Sequence, residues 1–290
     1  MSAKTRVVAT VAVAAALAAC ATVGITLLQT RGESAGTTAR KGFPPLYLPE
    51  SQALRLYQAG KRSEAEALFA RSHSLPDEIG AAFARWPRGT LDDMKKLVAA
   101  NPGSAIAELH LGLADYWSGR DADAETSWQL AAKAEPDTPY AVTALDFLHP
   151  GVAPGLPPIV VDAAAVESKA RRQLLRGVLL WDRERSLSAK REIDAAAALA
   201  PNDPAVLAAA AVARFSPAHP FEPFPKLGPL TARFPHASVV RLHLGVLLLW
   251  TRQVAKGKAQ LRLAVAEQPG SVYARQARAL LRALEGNGSK

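Results

Sequence analysis

Two stretches of this chain, 133 residues apart, are nearly the same text. One runs Leu109-His110-Leu111-Gly112, passes Trp117 and Pro136, and reaches Tyr140-Ala141. The other runs Leu242-His243-Leu244-Gly245, passes Trp250 and Pro269, and reaches Tyr273-Ala274. Self-similarity over this length is the signature of a repeat architecture, in which a unit buries its apolar face only against its neighbours.

The prolines give the period. Pro102 and Pro136 are 34 residues apart, as are Pro201, Pro235 and Pro269. Pro136 and Pro201 are 65 apart, two periods less a small deletion. Other positions keep phase. Gly112, Gly177 and Gly245 each lie 24 residues before one of these prolines, and Ala124, Ala189 and Gly257 lie 12 before. Trp128, Ile193 and Leu261 lie 8 before, and Ala131, Ala196 and Ala264 lie 5 before. A small residue lets a partner backbone approach, and a large side chain one turn later fills the remaining space. Proline cannot continue a helix and restricts the residue before it, so it closes each unit. Apolar residues recur at helical spacing between these points, as at Leu109, Leu111, Leu113 and Tyr116, then Trp128 and Leu130. Each unit reads as two antiparallel helices joined by a short turn, such as Ser118-Gly119-Arg120.

The pattern resembles the tetratricopeptide repeat family, whose unit carries a leucine-glycine pair, an alanine and an aromatic, another alanine, then a closing proline. Residues 105–138 match at Leu111, Gly112, Ala124, Trp128, Ala131 and Pro136. Residues 238–271 match at Leu244, Gly245, Gly257, Leu261, Ala264 and Pro269. Residues 170–203 match at Gly177, Ala189, Ile193, Ala196 and Pro201, with Arg176 in place of the leucine. The family's early large apolar residue is missing, with Glu108 and Arg241 at that point. Weaker units cover 46–79, with Ala53, Leu56, Gly60, Ala65 and Phe69, then 78–104 and 204–237. The last of these starts well at Ala205–Phe215 but enters the proline-rich run 216–225, which cannot be regular helix. Residues 149–158 form a second proline-rich interruption. A terminal helix over 272–285 reads as the cap such stacks need, followed by a tail, 286–290.

The N-terminus is a separate element. After Lys4 and Arg6, Val7 to Leu28 are twenty-two residues without charge or proline. At about 1.5 Å per residue they extend roughly 33 Å, enough to cross a bilayer. Residues 1–28 therefore read as a membrane anchor. A cleaved secretory signal also fits the basic start and the small residues near Ala18-Ala19. So does a lipoprotein signal, because Leu17-Ala18-Ala19-Cys20 resembles a bacterial lipobox and Cys20, the one cysteine, is then the lipidation site. Against lipidation, the residues after Cys20 stay apolar to Leu28. Basic residues flank both sides, so the positive-inside rule does not set the orientation. An anchor this close to the start is read as leaving the large domain outside the cytoplasm. Residues 29–45, with Gly32–Thr38 and then Phe43-Pro44-Pro45, read as a flexible linker to the repeats at 46–285.

The net charge of +9 gathers toward the C-terminus. From residue 238 onward, Arg241, Arg252, Lys256, Lys258, Arg262, Arg275, Arg278, Arg282 and Lys290 face only Glu267 and Glu285. Such a run suits anionic lipid or an acidic partner, or is simply a solvated face. Aromatics do not interleave with it as in an RNA-binding module, and no nucleic acid is expected. No two of the six histidines have metal-ligand spacing on a helix, and neither a phosphate loop nor a nucleophile elbow is present. The chain reads as a non-enzyme with no cofactor, metal or small-molecule substrate. His110 and His243 read as surface or packing residues.

The resemblance implies a function site. In the family the first helices line a concave groove, and residues one turn or more past the glycine point into it. The corresponding residues are Tyr57, Leu113, Tyr116, Trp117, Val178, Trp181, Val246 and Trp250. Tyrosine and tryptophan suit recognition because they bury much area at low entropy cost. The competing reading makes the tryptophans gap-fillers between repeats. The lysine, asparagine and arginine by which some members grip a terminal carboxylate are replaced here by apolar residues. The expectation is an all-α, right-handed superhelical solenoid of about six helix pairs behind one transmembrane helix. It would act as a protein-protein interaction scaffold for an unidentified protein partner at an envelope membrane. The alternative is an accessory factor, or a lipoprotein, that escorts or assembles exported proteins.

Overall fold

The structure is a computed structural model and describes residues 40, 42–162 and 168–286. The expected anchor, Cys20 and most of the linker lie outside them. No described helix is long and apolar enough to cross a membrane. Among the described residues there is no strand, and the chain divides into two compact units between Leu148 and His149.

The first unit holds α1 (Gln52–Gln58), α2 (Arg62–Phe69), α3 (Leu75–Ala84), α4 (Thr90–Ala100), α5 (Ala105–Trp117), α6 (Asp121–Ala134) and α7 (Pro139–Leu148). Consecutive helices pack as pairs, and α7 closes the unit against α6 and α5. Among the described residues the fold is therefore all-helical, built of paired helices. Helix starts are marked by the residues expected to satisfy free N–H groups. Ser51 accepts from Leu54 N at 3.1 Å to start α1. Ser74 caps α3, with Pro76 in its first turn. Glu135, just past α6, reaches back to Ala105 N at the start of α5, at 2.8 Å.

The second unit holds α8 (Lys169–Trp181), α9 (Ser186–Leu199), α10 (Pro204–Val212), α11 (Phe224–Leu227), α12 (Leu230–Arg233), α13 (Ser238–Trp250), α14 (Val254–Glu267) and α15 (Val272–Gly286). The proline-rich run breaks the second member of its middle pair into the four-residue helices α11 and α12. Leu227 and Leu230 still enter the core there. Asp203 caps α10 through Ala205 N and binds Arg171 at the start of α8 through two contacts, 2.6 and 2.9 Å. α15 closes this unit as α7 closes the first, and Arg275 and Arg278 use guanidinium N–H groups on the carbonyls of Gly270 and Pro269. Part of the basic C-terminal set is thus spent on loop carbonyls.

One geometry recurs at the unit ends. The residues before the five phased prolines, Asn101, Glu135, Ala200, Phe234 and Gln268, have φ between −128° and −139° and ψ between 65° and 73°. Proline excludes its predecessor from the helical region, and each helix ends at that residue for this reason.

The small residues set the approach of paired helices. A Cβ on Gly112 would lie 2.4 Å from the Trp128 ring and 3.1 Å from the Ala124 carbonyl oxygen. A Cβ on Gly177 would meet Ile193 at 2.4 Å and the Ala189 carbonyl at 3.1 Å, and one on Gly245 would meet Leu261 at 2.9 Å and the Gly257 carbonyl at 3.2 Å. Gly80 over Phe69 adds a fourth close approach, at 2.5 Å.

Candidate functional site

The first helices of the outer pairs in each unit face a stretch of the chain that has no regular secondary structure. In the first unit this is strap A, residues 42–47, Gly-Phe-Pro-Pro-Leu-Tyr. In the second it is strap B, residues 155–160, Gly-Leu-Pro-Pro-Ile-Val. The two are the same pattern shifted by 113 residues, from Gly42 to Gly155. The sequence places residues 42–45 at the end of a flexible linker. Pro44 and Leu46 are instead buried, and so are their counterparts Pro157 and Ile159. Alternate burial follows from extended backbone, whose side chains point to opposite sides in turn.

Each strap is held by equivalent groups. At its entrance Arg40 N donates to the Trp117 carbonyl at 3.1 Å, and Ala153 N donates to the Trp250 carbonyl at 2.8 Å. The glycines have φ of +101° and +73°, a left-handed region in which a side chain is strained. In the middle, the Tyr57 hydroxyl donates to the Pro44 carbonyl at 2.6 Å, and the Trp181 indole N–H donates to the Pro157 carbonyl at 2.8 Å. At the exit, Tyr47 N donates to His110 Nε2 at 3.1 Å, and Val160 N donates to His243 Nε2 at 3.0 Å.

The histidines are completely buried. His110 Nδ1 lies 2.7 Å from the Ile106 carbonyl, and His243 Nδ1 lies 2.8 Å from the Val239 carbonyl, one turn back on the same helix. A carbonyl on one nitrogen and an N–H on the other admit a single arrangement: a neutral ring with its proton on Nδ1. Burial lowers both pKa values from 6.5 to about 4, against the opposing effect of the carbonyl. The sequence reading of these residues as surface or packing side chains saw neither the hydrogen-bond acceptor nor the segment it holds.

The residues expected to line a groove fall into three sets. Tyr57, Trp117, Trp181 and Trp250 meet the straps: a Cβ on Gly42 would lie 3.7 Å from the Trp117 ring, and the Trp250 indole N–H donates to the Gly155 carbonyl at 3.2 Å. Tyr116 lies between the Arg40 guanidinium, 3.5 Å above its ring, and Trp128, 5.6 Å away. Leu113, Val178 and Val246 are core residues. Burial pushes the Tyr57 hydroxyl pKa up, so the phenol keeps the proton it donates.

The straps differ in one respect. The Trp117 indole N–H is buried and meets no acceptor, whereas its counterpart Trp250 meets Gly155. Arg40, just before strap A, ties that end of it to the helices, donating to the Tyr116 carbonyl and pairing with Asp121 at 3.0 Å. No cluster of His, Cys, Asp and Glu fit to hold a metal exists among the described residues. The arrangement presents apolar walls, two ring donors and a neutral histidine, a set suited to gripping extended backbone.

No family model matches the chain, and no curated protein is similar to it. Among solved structures, the TPR2AB-domain:pHSP90 complex of yeast Sti1 is similar over 80% of this chain and 95% of that one, at 13% identity and a TM-score of 0.33.

Proposed function

We propose that this chain is a non-enzymatic interaction scaffold, tethered to a membrane by residues 1–28, with its helical pairs outside the cytoplasm. Two grooves that grip extended, proline-rich backbone carry this reading. Each supplies a ring donor to a proline carbonyl and a histidine acceptor to a backbone N–H, which is what a surface reading main chain rather than a folded epitope needs. The apolar run Val7–Leu28 supports the tether. A protein partner follows from the same groove chemistry, since the donors and acceptors match peptide backbone.

Two measurements test it. Intact mass of the membrane-extracted protein is expected to include residues 1–6; a chain starting at a lipidated Cys20 replaces the anchor with a lipoprotein. A photo-crosslinking residue at Phe43, 37% exposed on the rim of strap A, is expected to give a dominant protein adduct in membranes. The same residue at Phe221, 61% exposed in the proline-rich run, is expected to give none. Identical adducts from both positions, or none from Phe43, sink the groove reading.

A further inference from the structure

We infer that strap A is a resident pseudo-ligand, and that the first unit's groove takes a partner segment of the form Gly-Φ-Pro-Pro-(Leu/Ile)-X in its place, Φ being a large apolar residue and X any residue but proline. This rests on the interaction reading above and names the partner's chemistry.

The ligand form is written twice in the chain. Each position has a separate physical reason. Gly42 and Gly155 have positive φ, so a side chain there is strained. The second position, Phe43 or Leu156, covers the rim: Phe43 meets the Tyr57 ring edge-on at 5.3 Å. The first proline is buried and presents its carbonyl to Tyr57 or Trp181. The second proline fixes the backbone near the extended helix that needs no internal hydrogen bonds, so little entropy is lost on docking. Leu46 and Ile159 fill the apolar floor. The next residue must keep its N–H for the histidine, which excludes proline there.

Strap A is the displaceable one. Strap B makes at least four such bonds, through Ala153 N, the Gly155 and Pro157 carbonyls and Val160 N. Strap A makes three of them, its entrance residue Arg40 is also held through its side chain by the Tyr116 carbonyl and Asp121, and the donor left over inside the groove is the buried Trp117 indole N–H. A buried N–H without a partner is costly, and the cost is recovered by any segment whose glycine carbonyl reaches it, as Gly155 reaches Trp250. A groove occupied by a slightly mismatched copy of its own ligand is open to a better-matched one in trans. The affinity of that ligand is reduced by the fraction of grooves the strap keeps closed.

The test uses the full-length protein and a labelled peptide with the sequence of strap B and its next residue, Gly-Leu-Pro-Pro-Ile-Val-Val. Binding is read by fluorescence anisotropy. Tyr47→Pro removes the strap's N–H and leaves every groove residue intact, so peptide affinity is expected to rise about tenfold over the natural chain, the equivalent of one hydrogen bond. Adding Tyr57→Phe should abolish the gain, and replacing both peptide prolines by alanine should lower affinity at least tenfold. If Tyr47→Pro unfolds the first unit, Leu46→Ala serves the same purpose. Amide exchange on the natural chain gives an independent reading: Tyr47 is expected to exchange at least tenfold faster than Val160. Equal protection of the two amides, or peptide affinity unchanged in both strap variants, overturns the inference. A concentration-dependent dimer seen by light scattering, and lost in the strap variants, overturns it in favour of a second copy as occupant. Peptide failure with a Phe43 crosslink still present would remove only this ligand form and leave the scaffold reading standing.

Discussion

At the residue scale, the close helix approaches and the buried histidines make opposite demands on substitution. Alanine at Gly112 and alanine at Gly245 both gain helix propensity, about 1 kcal/mol. They differ in what the new methyl meets. At Gly112 it meets the rigid Trp128 ring at 2.4 Å, and at Gly245 the end of the Leu261 side chain at 2.9 Å. Gly112→Ala is expected to destabilise by about 1–3 kcal/mol and Gly245→Ala to stay within about 1 kcal/mol of neutral. Denaturant midpoints decide it, and equal midpoints would mean the Trp128 ring can move aside. The histidines set a pH dependence. Their folded pKa values are about 4 against 6.5 when free, so between those values the unfolded chain binds protons the folded chain refuses. Their contribution is complete above pH 6.5 and is lost as pH falls toward 4. The slope is about 1.4 kcal/mol per pH unit for each histidine. The buried carboxyls Glu108 and Asp115, raised by burial, work the other way, because acid relieves them. The difference between the natural chain and the His110→Gln, His243→Gln double variant therefore isolates the histidines. An unfolding free energy with the same pH slope in both chains would show that neither ring is held neutral.

At the element scale, the helices were legible and the straps were not. Phased prolines and glycines mark helix ends and contacts because each acts locally, through its own φ or its missing Cβ. The recurrence of Tyr140-Ala141 at Tyr273-Ala274 also carried the closing helix α7, which the sequence reading left undrawn although it assigned the equivalent α15 as a cap. A strap has no periodicity to detect, and its burial depends on helices far along the chain. What could have found it is textual: Gly-Phe-Pro-Pro and Gly-Leu-Pro-Pro, 113 residues apart, beside helices that repeat at 133. The mismatch of the two shifts hid the pairing. The histidine role was hidden with it, since an acceptor has meaning only once its donor is placed. If the strap is structural as drawn, Tyr57→Phe leaves the Pro44 carbonyl buried and unsatisfied. It should cost about 1–3 kcal/mol and speed exchange at the Tyr47 amide. An unchanged midpoint with unchanged exchange would mean that water replaces the phenol.

At the scale of the whole molecule, the sequence read as one continuous array over 46–285, while the contacts divide it between Leu148 and His149. The same order recurs on each side: a strap, three helical pairs with the middle pair of the second unit broken by proline, and a closing helix. The apolar cluster formed by Ile159, Leu174, Trp181, Val212, Trp250 and Leu280 draws only on the second unit. A strap and a closing helix within each unit are what a domain needs to fold alone. Fragments 40–148 and 149–286 are each expected to be helical by circular dichroism and to unfold cooperatively. The fragment 50–148, which lacks strap A, should be less stable than 40–148 by about 2–4 kcal/mol, the loss of two buried apolar side chains and three hydrogen bonds. It should recover the difference on adding the peptide Gly-Phe-Pro-Pro-Leu-Tyr-Leu. A 149–286 fragment that is unfolded alone would show that the second core depends on the first unit. A 50–148 fragment as stable as 40–148 would show that the strap lies on the groove without contributing to the fold.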